Sequence, residues 1–193
     1  MSYIIRTFIL LSFIVISPIV LFSFFIIWLE DGKPVIFIQT RLGISKKEFY
    51  LYKIRTMLKT TPNLGTHEVR ISNHLKYGSV LRKLKIDELP QIYNYLKGDL
   101  SLVGPRPGLP NQKELKFYRE KYGIFMIKPG ITGLSQVLGY DMSDPELLAK
   151  IDEIYIKNKT FKLDILIFLA TFIKYFKLKL EKKFKYEISK LEI

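Results

Sequence analysis

The chain has 193 residues, 48% of them hydrophobic, which is enough apolar material for a compact core and too much for a wholly disordered chain. Lys and Arg number 31 against 18 Asp and Glu, a net charge of +13, so the expected partners are anionic: nucleic acid, anionic lipid or phosphorylated substrates. There is no cysteine, and His67 and His74 are the only histidines, which excludes a disulfide scaffold, a thiol nucleophile and a Cys-ligated metal and leaves too few ligands for a multi-His site.

A mean hydropathy of +0.12 alongside 25% charged residues means that apolar and basic stretches are segregated, which favours a membrane surface over nucleic acid. From Thr7 to Leu29 there is no charge, a run of about 23 residues, long enough as a helix to cross a hydrocarbon core of ~30 Å. It is too long for the apolar region of a signal peptide, and no small-residue cleavage site follows. Ser17-Pro18 interrupts it. Pro18 has no N–H and crowds the carbonyl of Ile14, which predicts a kink, and the Ser17 hydroxyl can satisfy a nearby carbonyl. A kinked spanning helix and a re-entrant pair of half-helices both fit. Arg6 before the run and Lys33 after it do not orient it.

Glu30–Pro34 reads as a turn cluster. Val35–Arg41 and Glu48–Ile54 are rich in β-formers and flank a polar turn with Gly43, which predicts a hairpin. Lys59–Asn73 reads as a loop and Leu75–Leu84 as a helix. Pro90–Lys97 reads as a short helix begun by Pro90 and ended by Gly98. Leu100–Val103 is a short apolar run, Gln112–Tyr122 an amphipathic helix, and Lys128–Gly133 a turn-rich loop. Ser143 or Asp144 caps a helix over Leu147–Ile156. From Asp164 the chain is apolar to Ile173, and lysines then alternate with aromatics through Lys185. That pattern suits a basic amphipathic helix in a lipid headgroup layer, or a core helix with a solvated basic end.

Three groups of residues could carry chemistry. Asp87-Glu88 pairs two carboxylates at the start of a predicted helix, suited to a divalent cation or to nucleophilic attack on phosphorus, or simply to capping. Arg106 stands between Pro105 and Pro107, whose rings fix the backbone on either side and pre-organise a phosphate clamp or a base-stacking guanidinium, or simply make a rigid surface turn. Arg41, Lys53 and Arg55 gather cations at one end of the hairpin, suited to pyrophosphate or lipid phosphate, or to a solvated strand edge kept basic against aggregation.

As a set these segments resemble the bacterial sugar transferases, the small monotopic phosphoglycosyl transferases. The resemblance is carried by Ser17-Pro18, Phe37–Gly43, Tyr52–Met57, Leu81–Gln91, Leu96–Pro107, Lys128–Val137 and Asp152–Asp164, nearly the whole chain. It implies an α+β fold: a re-entrant membrane helix over 1–30 broken at Ser17-Pro18, a short β-hairpin within a cytoplasmic catalytic domain over 31–160, and interfacial amphipathic helices ending in a basic membrane-surface tail over 161–193. The implied reaction moves a phospho-sugar from a UDP-sugar to polyprenyl (undecaprenyl) phosphate and releases UMP, the first membrane step of bacterial glycan assembly. It runs through an aspartyl phospho-sugar at the cytoplasmic face of the inner membrane. Asp87 is then the nucleophile and the Mg²⁺ ligand, and Glu88 assists as a base or organises the metal. Arg106, with Pro105 and Pro107, contacts the uridine side; Arg41, Lys53, Arg55, Arg82 and Gln136 line the substrates. No nucleic-acid partner is implied, and a homo-oligomer is left open. Two departures stand out: Ile54 where the family usually has Phe, and Tyr140 where many members have an arginine. The alternative from another class is a non-catalytic, lipid-binding scaffold of the same fold, against which the intact Asp87-Glu88 pair argues.

Overall fold

The computed structural model describes residues 3–61 and 74–191, and along the first helix the side chains of Ile14 and of residues 16–31. Most of the expected 59–73 loop, with His67, and the side chain of Arg6 therefore lie outside the described residues. The fold is α+β, and the chain divides into two compact units: Met1–Gln39 with Tyr50–Gly98, and Thr40–Phe49 with Asp99–Ile193.

In the first unit, α1 (Tyr3–Asp31) runs as one helix through Pro18. The expected break is the loss of a single ladder bond, not an interruption between two helices. The Ser17 hydroxyl donates to the Ile14 carbonyl at 2.7 Å, the very acceptor that Pro18 cannot serve. Ile16, Val20, Phe24 and Ile27 recur at helical spacing and pack with Ile54, Leu75, Leu81, Ile86 and Leu89. Among the described side chains of the outer face, Leu21, Phe22, Phe25, Trp28 and Leu29 are all exposed. Among the described residues no helix is long and apolar enough to cross a membrane.

The hairpin forms as expected, from β1 (Ile36–Leu42) and β2 (Glu48–Ile54). Its base belongs to the first unit and its tip to the second. Helix α2 (Lys76–Lys83) lacks a capping side chain of its own, so Glu30 from the end of α1 accepts the backbone N–H groups of Lys76 and Tyr77. Helix α3 (Gln91–Lys97) ends where Gly98 adopts φ 92°, as Gly98 predicted. It docks on β2 through Asn94, which is 0% exposed. The Asn94 amide donates to the Tyr50 carbonyl (2.6 Å) and accepts from the Tyr52 N–H (3.2 Å), acting as a strand partner for β2.

In the second unit, β3 (Ser101–Val103) pairs in parallel with β4 (Gly130–Thr132), Ser101 opposite Gly130 and Val103 opposite Thr132. The sequence predicts only a turn over Lys128–Gly133. A three-residue strand has no readable period, and its partner lies far away along the chain. Around this pair lie α4 (Lys113–Lys121), α5 (Leu134–Leu138) and α6 (Pro145–Lys157), the last capped by Asp144 accepting from Leu147 N–H at 3.0 Å. Helices α7 (Phe161–Ala170) and α8 (Lys174–Ser189) complete the unit. Leu163, Ile167, Leu180 and Phe184 join Ile151 and Tyr155 in its core. Residues 161–191 are thus a core component along one face. Along the other, Phe161, Ile165, Phe168, Phe172 and Tyr175 are exposed beside the lysines of α8.

Candidate functional site

The first unit carries the carboxylate pair. Asp87 and Glu88 sit on a 3-10 turn, Ile86–Glu88, entered through Lys85 in the left-handed region (φ 60°, ψ 16°). For a side-chain-bearing residue this geometry costs ~1 kcal/mol, held here by the packing of Ile86 and Leu89 on either side of the pair. The turn leaves Asp87 only 6% exposed. Glu88 is held by Lys53 of β2 at 3.0 Å. Arg82 is placed by His74, whose Nε2 lies 2.9 Å from its guanidinium. Burial raises the pKa of Asp87; Lys53, Arg82 and Lys85 pull it back and Glu88 pushes it up again. His74 is lowered, first by burial and then by Arg82, which favours a neutral ring facing that guanidinium. The arrangement is a desolvated carboxylate among three cations. Such an arrangement can draw phosphate groups to the cations, and a carboxylate with little water shell is chemically suited to nucleophilic attack.

Arg55, expected among the phosphate contacts, is 5% exposed and committed elsewhere. It ion-pairs with Asp31 and donates to the carbonyls of Gly32 (2.7 Å) and Pro34 (2.6 Å). It fastens the exit of α1 to β2. Asp31 is held below the usual carboxylate range, chiefly by its hydrogen bond from Arg55.

The second unit carries the 104–108 loop. Four successive carbonyls are each taken by a different donor: Pro105 O by Gly130 N–H (2.9 Å), Arg106 O by Arg119 Nη1 (2.6 Å), Pro107 O by Arg41 Nη1 (2.9 Å) and Gly108 O by Leu42 N–H (3.0 Å). Arg41, at 5% exposure, therefore braces the loop rather than reaching outward. Gln136 on α5 has a buried Oε1 without a hydrogen-bond partner among the described residues, an acceptor that a bound group or water would satisfy. Tyr140 lines an open cavity of about 600 Å³ with Leu138, Leu178, Glu181, Lys182 and Lys185, so cations face it from α8.

Sequence reasoning gave no role to Arg119, and placed Asp152 and Ser135 in family segments without assigning them a role. Nothing in the amphipathic 112–122 pattern singles out Arg119, and only the tertiary packing buries it to 3% exposure. It missed Asn94 for a like reason: a polar residue in a short helix gives no sign of burial.

The bacterial sugar transferase family matches residues 3–178. The chain belongs to this family. It is 45% identical over 159 residues to an uncharacterized sugar transferase, EpsL, of Bacillus subtilis (strain 168), covering 80% of this chain and 76% of that protein. It is 38% identical over 168 residues to the UDP-N-acetylgalactosamine-undecaprenyl-phosphate N-acetylgalactosaminephosphotransferase of Aeromonas hydrophila, covering 80% of this chain and 38% of that protein. It is 36% identical over 154 residues to a UDP-glucose:undecaprenyl-phosphate glucose-1-phosphate transferase of Xanthomonas campestris pv. campestris, covering 72% of this chain and 31% of that one. The match thus spans about a third of the latter two relatives.

Proposed function

We propose that this sugar transferase moves a phospho-sugar from a UDP-sugar to polyprenyl (undecaprenyl) phosphate, with Asp87 as the nucleophile. The observation that carries the reading is the buried Asp87 carboxylate among Lys53, Arg82 and Lys85. Relatives named for UDP-sugar and undecaprenyl-phosphate chemistry support the substrate classes. An Asp87 oxygen attacks the β-phosphorus. The bond from that phosphorus to the bridging oxygen breaks, and UMP departs with the oxygen and its electron pair. An acyl phosphate carrying the sugar remains. An oxygen of polyprenyl phosphate then attacks the same phosphorus, and the Asp87 carboxylate leaves to give polyprenyl diphosphate sugar. The acceptor phosphate is largely ionised at neutral pH and needs little base help. Glu88 then serves to hold Lys53 beside the reacting carboxylate.

Mg²⁺ fits this donor set. Asp87 and Glu88 are hard oxygen ligands, and among the described residues no cluster of three or more acidic or imidazole groups could hold a metal alone. Asp87 would chiefly hold the ion. When bound it would neutralise the diphosphate charge. Arg106 contacts the nucleotide from its braced loop.

We place the protein at the cytoplasmic face of the bacterial inner membrane. The exposed apolar side of α1 enters the leaflet, and the missing ladder bond at Ser17-Pro18 lets it bend back. The exposed aromatics of α7 and the lysines of α8 lie against the headgroups.

The test is UMP release in detergent with Mg²⁺ and undecaprenyl phosphate across a panel of UDP-sugars. Release with one donor, absent in Asp87→Asn, supports the reading, as does label from the sugar remaining on the protein when the acceptor is withheld. Turnover persisting in Asp87→Asn removes Asp87 as nucleophile. Because the chain has no cysteine, single cysteines at either end of α1 report topology directly; labelling from opposite sides of the membrane would sink the re-entrant reading.

A further inference from the structure

We infer that Arg119, held by Asp152 and Ser135, is a positioning residue that sets the orientation of Arg106 toward the nucleotide donor; this rests on the donor-contact role proposed for Arg106. The trio is closed. Asp152 is 1% exposed and both its carboxylate oxygens are taken, Oδ2 by Arg119 Nη2 and Oδ1 by Ser135 Oγ, each at 2.8 Å. The other end of the guanidinium, Nη1, donates to the Arg106 carbonyl at 2.6 Å. Three helices, α4, α5 and α6, therefore converge on the peptide plane between Arg106 and Pro107.

Stability alone does not account for this arrangement. A buried ion pair is commonly no better, and often worse, than apolar side chains of the same volume. What a guanidinium provides that a Leu or Met cannot is direction: a planar fork with two donors fixed relative to each other. The place where direction is needed is Arg106. Pro105 and Pro107 lock φ on both sides of it but leave its ψ free within the extended region. Tying down the Arg106 carbonyl removes that freedom, and the neighbouring carbonyls of Pro105 and Pro107 are already tied. The backbone at Arg106 is thereby fixed. A donor-side group that needs no backbone rearrangement binds with less ordering cost.

The prediction concerns donor affinity rather than chemistry. Arg119→Lys keeps the charge opposite Asp152 but lacks the rigid fork that also reaches the Arg106 carbonyl. We expect the KM for the UDP-sugar, and the Kd for UDP measured by calorimetry, to rise ~10-fold, the loss of one charge-assisted hydrogen bond. The kcat at saturating donor and the KM for polyprenyl phosphate should stay within about twofold. In an Arg106→Ala background the same change should have no further effect on UDP affinity, because the group it positions is gone. A folded Arg119→Lys protein with unchanged UDP affinity, or an equal loss in both backgrounds, overturns the inference, as does a fall in kcat at fixed donor KM. If Arg119→Lys loses its cooperative melt, Ser135→Ala carries the test. It removes one hydrogen bond from Asp152, keeps both charges, and should weaken UDP binding in the same direction; unchanged affinity there is equally decisive. Wild-type protein that neither binds UDP nor turns over any donor takes down the functional reading and this inference together. Wild-type binding without Arg106–Arg119 coupling takes down the inference alone.

Discussion

Gly130→Ala tests how the loop that carries Arg106 is held. A Cβ built on Gly130 falls onto the backbone of Gly104, its carbonyl oxygen at 2.7 Å, and onto the Thr132 carbonyl. These neighbours are main chain and cannot rotate aside. The pair β3–β4 must open, which strains the bonds Ser101 N–H to Pro129 O (2.8 Å), Gly104 N–H to Thr132 O (2.9 Å) and Gly130 N–H to Pro105 O (2.9 Å). Overpacking costs ~1–3 kcal/mol. Weakening three backbone bonds worth ~0.5–1.5 kcal/mol each adds about 1–2 kcal/mol. The sum, about 2–5 kcal/mol, lowers Tm on the order of 10 °C at roughly 2–4 °C per kcal/mol. The control is Gly139→Ala, where φ is +95° and nothing lies within 4 Å of a built Cβ. Only backbone strain of ~1–2 kcal/mol acts there. The assay is thermal unfolding by circular dichroism in one detergent, with donor KM from UMP release below the transition. Gly130→Ala should melt well below Gly139→Ala and bind donor more weakly, because the Pro105 carbonyl has lost its anchor. A Gly130→Ala melt no lower than that of Gly139→Ala would refute the close-approach argument.

Phe184→Ala should cost ~3–5 kcal/mol, since the ring is 0% exposed, whereas Tyr186→Ala, at 69% exposed, should stay within ~0.5 kcal/mol; equal losses in denaturant unfolding would show that α8 is not docked in the core. Arg55→Lys should lower Tm and leave donor KM within about twofold, because Arg55 holds Asp31, Gly32 and Pro34; a large KM rise at unchanged Tm would restore it as a phosphate ligand. Burial raises the pKa of Asp87, so the folded state binds its proton more readily than the unfolded chain does. This contribution is favourable at low pH and is lost as pH rises through the folded pKa. Asp87→Asn should therefore abolish transfer yet melt above wild type at neutral pH, with the two converging on acidification; a wild-type Tm equal to or above that of the variant at neutral pH would contradict the burial argument.

The local elements were legible in the sequence because their signals are local. The hairpin showed in two β-rich runs around Gly43, α3 in Pro90 and Gly98, and α6 in Asp144. Ser17-Pro18 announced both the missing donor and the hydroxyl that replaces it. The Asp87-Glu88 and Pro105-Arg106-Pro107 segments could be picked out, since their residue types are themselves the chemistry. What the sequence alone could not decide was which charged side chains turn inward. Arg41 and Arg55 read as phosphate ligands and Arg119 carried no signal of its own, yet the fold buries all three against backbone carbonyls. Nor could it show that Lys128–Gly133 supplies a strand whose glycines let two main chains meet. Burial and close approach are properties of pairs of segments distant along the chain. Such pairing is fixed by the summed packing of the whole core and leaves no period, cap or breaker at either residue.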